Sequence, residues 1–136
     1  ALGLFASTGS SQAQTSTQLR ATIPFAFQAG SYHMPAGLYD ISVRSNHMVF
    51  FEDRDPGKHV TAYLMATPSE DGKIQTNGRL IFHRYGDRYF LRAVWEAASN
   101  QGITCKPTQE EKEILRSQNQ PAAPGTELAV NAYPKR

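Results

Sequence analysis

Two runs of large side chains, Arg79-Leu80-Ile81-Phe82-His83-Arg84-Tyr85 and Arg88-Tyr89-Phe90-Leu91-Arg92-Ala93-Val94-Trp95, flank the dipeptide Gly86-Asp87. Strand-forming residues on either side of a Gly-Asp pair mark a tight β-hairpin, because the turn needs positive φ and glycine supplies it without a Cβ clash. The pattern places Tyr89, Leu91, Ala93 and Trp95 on one face. A lone hairpin is barely stable in water, so this one commits the rest of the chain to supplying further strands.

The remaining sequence offers them. Leu19, Ala21, Ile23, Phe25 and Phe27 alternate with Arg20, Thr22, Pro24, Ala26 and Gln28. That period of two predicts a half-buried strand, with Pro24 marking a sheet edge or a bulge because it has no N–H to donate. Ala29-Gly30 and Pro35-Ala36-Gly37 read as turns around a short strand at Ser31–Met34. Tyr39, Ile41 and Val43 alternate with Asp40, Ser42 and Arg44, whereas Met48–Glu52 is apolar on both faces and reads as central. Strands are also expected at His59–Ala66 and Glu127–Tyr133, with a polar turn over 53–58 and a polar loop over 67–78. Thr108-Gln109-Glu110-Glu111 is a capping box, which predicts a helix over 109–118 docking through Ile114 and Leu115.

About seven or eight short strands with regular turns predict an all-β fold, an antiparallel β-sandwich or open barrel with one short helix in the C-terminal half. The 136 residues, 40% hydrophobic and 19% charged, suit a single β domain over 19–136. Residues 1–18 stand apart. Ala1-Leu2-Gly3-Leu4-Phe5-Ala6 is apolar, and Ser7 to Gln18 is rich in Ser, Thr and Gln, the composition of a flexible linker. Ser11-Gln12-Ala13 has the small-x-small form of a signal-peptidase site. Two readings stay open: the end of a secretory signal cleaved before Gln14, or a mature N-terminal segment that packs on something. Either implies export.

Three blocks occur together: Ile23-Pro24-Phe25-Ala26-Phe27, Met34-Pro35-Ala36-Gly37-Leu38-Tyr39, and Phe82-His83-Arg84-Tyr85-Gly86-Asp87-Arg88-Tyr89-Phe90-Leu91. In that order the chain resembles a group of small secreted proteins of environmental bacteria, in which a PFxF…LPAGxY half precedes an FHRYGDRYFL…W hairpin, a Glu-rich helix and a final strand. The resemblance covers about residues 19 to 133. Met34 stands where the group has Leu, and Cys105 lies outside the pattern. It implies export and a β fold, and no activity.

No residue pattern supplies a catalytic site. His33, His47, His59 and His83 show no HxH or HxxxH spacing for a metal. Asp53-x-Asp55-x-Gly57 after Glu52 lacks the distal Glu of a calcium loop and reads as a solvated turn. Arg79, His83, Arg84, Arg88 and Arg92 interleave with Tyr85, Tyr89 and Phe90. With a net charge of only +2, they read as a solvated cationic face rather than a nucleic-acid platform. Cys105, the single cysteine, has no neighbouring activator. No cofactor is expected, and no apolar run reaches the roughly 18 residues of a membrane span.

The expectation drawn from these features is a non-enzymatic extracellular or cell-surface structural subunit. It would self-assemble into a homopolymeric filament by donating an N-terminal strand to a neighbour. Leu2, Leu4 and Phe5 would be inserted, and the edge marked by Pro24 would receive them. The Ser/Thr linker could carry O-linked glycans. The alternative is a monomeric secreted or periplasmic binding module with a groove between sheets.

Overall fold

The computed structural model describes residues 17–44, 48–54, 61–117 and 126–134. The strands are β1 (Thr17–Ile23), β2 (Phe27–Ala29), β3 (Tyr32–Met34), β4 (Gly37–Val43), β5 (Met48–Asp53), β6 (Thr61–Met65), β7 (Thr67–Gln75), β8 (Gly78–Tyr85), β9 (Arg88–Trp95) and β10 (Ser99–Thr104). Helix α1 (Gln109–Ser117) follows, and β11 (Thr126–Pro134) closes the chain. In space the sheet runs β3-β2-β9-β8-β11-β1-β4-β5-β6, curled into a nearly closed barrel, with β10 branching from β9 and β7 from β10. All pairings are antiparallel except β2 with β9, which is parallel at Gln28↔Phe90.

The core fills the barrel. Leu19, Ala21 and Ile23 of β1, Tyr39, Ile41 and Val43 of β4, and Val49 and Phe51 of β5 point inward, as their alternation requires. Phe27 lies at the centre, with its ring 5.4 Å from Tyr39, 5.7 Å from Phe51 and 5.4 Å from Phe82. The contacts to Tyr39 and Phe82 are edge-on and that to Phe51 is tilted, arrangements that aromatic pairs prefer to a face-to-face sandwich.

The hairpin turns at Gly86, with φ of +65°, as its sequence demands. Several details depart from expectation. Eleven strands form among the described residues, more than seven or eight. The strand expected across Pro24 ends at Ile23, and β1 lies between β11 and β4 rather than at an edge. Proline ends the ladder here because it can donate no hydrogen bond to β4. The loop expected over 67–78 contains β7, which pairs with β10. Neither strand alternates clearly; their cohesion comes from the backbone ladder.

Inside the hairpin, the register shifts between Ile81 and Phe82: Ile81 faces Ala93 and Phe82 faces Leu91, leaving Arg92 as the extra residue. This bulge changes the face of everything beyond it. Val94, not Ala93, joins Leu91 in the barrel core. Trp95 is half-buried, as is Phe25, which stacks on Tyr89 at 3.9 Å.

Candidate functional site

Two features of the barrel bear on function: the places where its wall is incomplete, and a polar cluster beneath α1.

Around most of the wall the ladders are long. β1 matches β4 over seven consecutive pairs, and β11 matches β8 over seven. Between β1 and β11, the described residues pair only at Leu19↔Pro134 and Arg20↔Tyr133. Beyond Arg20 the two strands diverge around a crevice of about 630 Å³. Ala21 and Val130 form its floor; Arg20, Thr22, Leu38, Asn131 and Tyr133 line its mouth. Val130 belongs to the inward face of β11, in step with the fully buried Ala132, yet it is only half-buried. Tyr133 is 52% exposed. At the rim, Arg20 donates to Asp40 Oδ1 at 2.8 Å across the β1–β4 ladder, and Arg54 approaches the other carboxylate oxygen at 3.4 Å. The hydrogen bond and charge of Asp40 raise the Arg20 pKa above its usual value.

The second opening lies where β6 and β3, the two ends of the sheet, meet. Side chains close it. Tyr32 and Tyr63 rings stand 5.9 Å apart, and a Cβ at Gly30 would sit 3.4 Å from that of Leu64. Outside this seam Phe50 lies 5.9 Å from Tyr63, with the Arg44 guanidinium 4.4 Å from the Phe50 centroid.

Helix α1 covers the outer face of β8 and β9. Thr108 caps it, its Oγ1 accepting from the Glu111 N–H at 3.2 Å. The capping box stops there. The Glu111 side chain does not close on Thr108 but enters the sheet, where it is 1% exposed and accepts from Tyr85 Oη at 2.8 Å and from Arg92 Nη2. Arg92 also donates to the Cys105 carbonyl at 2.7 Å. Glu110, one residue earlier, accepts from Arg88 and from Gln28 Nε2 at 3.2 Å, with His33 at 3.4 Å. The Arg88 hydrogen bond holds the Glu110 carboxyl below its usual range. Of the cationic face expected to be solvated, Arg84 and Arg88 are exposed, whereas Arg92 is enclosed; Arg92 and Arg88 are the anchors of α1. Arg92 reaches Glu111 as the residue set out by the bulge.

Burial and the Glu111 contact push the Tyr85 hydroxyl up to about 12. Burial pushes the Cys105 thiol from 9.0 to about 11, against a smaller opposing pull from Arg92. A protonated, enclosed thiol is a poor nucleophile. Both groups are neutral when protonated, and the unfolded chain releases these protons first. Their stabilisation is therefore full below about pH 9 and is lost as pH rises through about 11 and 12. Denaturant midpoints followed upward from neutral pH should fall from about pH 9, and Cys105→Ala should remove the earlier part of that fall. A midpoint flat to pH 12 would mean that neither group is enclosed.

Leu2, Leu4 and Phe5 lie outside the described residues, as do His47, His59, Asp55 and Gly57. Pro24 is not part of the β1–β11 crevice. His83 pairs with Glu127 at 3.7 Å. Among the described residues, no three His, Cys, Asp or Glu side chains converge as a metal site, and no helix is long and apolar enough to cross a membrane. Comparison with known protein families, with curated proteins and with solved structures gave no match.

Proposed function

We propose that the protein is a non-enzymatic, exported structural subunit that self-assembles by donating its N-terminal apolar segment to the incomplete sheet of a neighbour. The observation that carries this reading is a barrel wall whose ladder stops part-way, in a chain whose sequence also carries an apolar segment, Ala1–Ala6, ahead of a polar Ser/Thr/Gln-rich stretch. Strand edges without partners favour the addition of an extended segment, which receives main-chain hydrogen bonds and places alternate side chains in the host core. Donation from each copy to the next is heterologous and does not close, so it yields a filament at the cell surface or outside the cell. The Ser and Thr residues of the linker would be the acceptors of any O-linked glycans.

Deleting residues 1–13 should leave a folded protein that sediments as a monomer, whereas the full chain forms polymers visible by electron microscopy. Polymers that survive the deletion, or a full chain that stays monomeric at high concentration, refute the proposal. The volume of the β1–β11 crevice favours one competing reading, a monomeric secreted or periplasmic binding module, since about 300–1,000 Å³ is the usual size of a small-ligand pocket. A monomer whose melting temperature rises with a small apolar ligand would support that module.

A further inference from the structure

We infer that the acceptor is the crevice between β1 and β11, and that its occupant is residues 1–6 of a second copy, with Leu2 and Leu4 on the floor and Phe5 at the mouth. This rests on the assembly reading above and names the site that reading leaves open.

The choice between the two openings follows from what already fills them. At the β6–β3 end, Tyr32 against Tyr63 and Gly30 against Leu64 occupy the space that an added strand would need. The β1–β11 crevice has no such plug among the described residues. Ala21 is a small floor residue, and Val130 faces inward and packs against the core while staying only partly buried. A core-facing side chain that also lines an open crevice leaves room there for one further apolar neighbour. Past Arg20, β1 and β11 each keep a ladder on one side only, so an inserted strand would find main-chain partners on both.

Side-chain order fits the same place. Strand alternation puts Leu2 and Leu4 on one face and Gly3 and Phe5 on the other. Toward the floor, two leucines meet Ala21 and Val130. At the mouth, Phe5 meets Leu38 and the exposed Tyr133. The segment carries no charged side chain, so Arg20 can keep its bond to Asp40. Length is compatible too. Residues 7–16 can span about 33–36 Å when extended. That exceeds the expected radius of gyration of a 136-residue domain, about 14 Å, more than twofold. A tether starting at Thr17 is therefore long enough to leave its own domain.

Cysteine pairing tests the site in the full chain, with Cys105→Ala as background. A Leu4→Cys protein mixed with a Val130→Cys protein should form an intermolecular disulfide about tenfold faster than Leu4→Cys mixed with Met65→Cys, because docking raises the local concentration of the pair. Met65 lies on β6 and is 72% exposed. Sedimentation of each protein checks that polymers form. Faster coupling to position 65 would overturn the crevice as acceptor and leave self-assembly standing. A Leu4→Cys/Val130→Cys protein that closes within one monomer would overturn donation to a second copy. Polymers whose cysteines couple at neither position would also overturn the inference, while absence of any polymer would sink the assembly reading itself.

Discussion

Replacing Glu111 with Ala is expected to destabilise the fold by about 3–5 kcal/mol, more than any single change at the exposed ion pairs. The carboxylate is sealed under α1, and its removal strands two groups at once. Arg92, only 16% exposed at its side chain, loses its counter-charge, and the Tyr85 hydroxyl loses its acceptor. Arg92 keeps one bond, to the Cys105 carbonyl, which cannot offset a positive charge. Glu111→Gln should cost less, because an amide oxygen can still accept from Tyr85. A triple change, Glu111→Leu with Arg92→Met and Tyr85→Phe, should recover most of the loss, since apolar groups of similar size remove the unpaired charge together with its partner. Denaturant midpoints at constant m-value measure all three. A loss below about 1 kcal/mol for Glu111→Ala would mean that water reaches the cluster and that Ile114 and Leu115 hold the helix instead.

That cluster also marks where sequence reasoning stops. Thr108 with Glu three residues on announced the start of α1 correctly, because capping is a local matter of one hydroxyl and one N–H. The same local rule assigned the Glu111 side chain to the cap. Its actual partners are 26 and 19 residues away in sequence, and no periodicity displays them. Arg92 was equally hidden: strict alternation along β9 predicts its neighbours' faces, and the bulge cancels that alternation after Leu91.

Strand recognition divides along the same line. β1 and β4 were legible because each buries one face, so apolar side chains stand at every second residue, while β8 and β9 were legible from the large side chains on either side of Gly86-Asp87. β7 and β10 were not. Thr67-Pro-Ser-Glu-Asp-Gly-Lys-Ile-Gln75 and Ser99-Asn-Gln-Gly-Ile-Thr104 pair with each other off the main path of the sheet, and apart from Ile103, which joins the core, their ladder needs backbone groups rather than an alternating apolar face. The crevice follows from a divergence of two well-formed strands. Each of them reads normally alone, and only their mutual register shows the gap.

Gly102→Ala should cost more than alanine at Gly30, Gly78 or Gly86, about 3 kcal/mol or more. The position has no positive φ, so conformational strain is not the reason. Space is. A Cβ there would lie 2.5 Å from the Val94 carbonyl oxygen and 2.5 Å from Cε3 of Trp95, the residue facing Gly102 across the β9–β10 ladder. The indole could swing away, but the carbonyl belongs to a core strand and cannot yield without separating β10 from β9. Trp95→Ala should therefore fail to rescue Gly102→Ala, since it clears only one of the two contacts. Gly86→Ala supplies the contrast. Nothing lies within 4 Å of a Cβ there, and φ is +65°, so its cost should be the left-handed backbone penalty alone, about 1–2 kcal/mol. Trp95 is the single tryptophan, so its fluorescence reports the site directly. In Gly102→Ala the emission should shift to the red as β10 peels from β9, while in Gly86→Ala it should match the unaltered protein. Equal stabilities for the two variants would show that β10 and the branch it carries do not pack on Trp95 in solution.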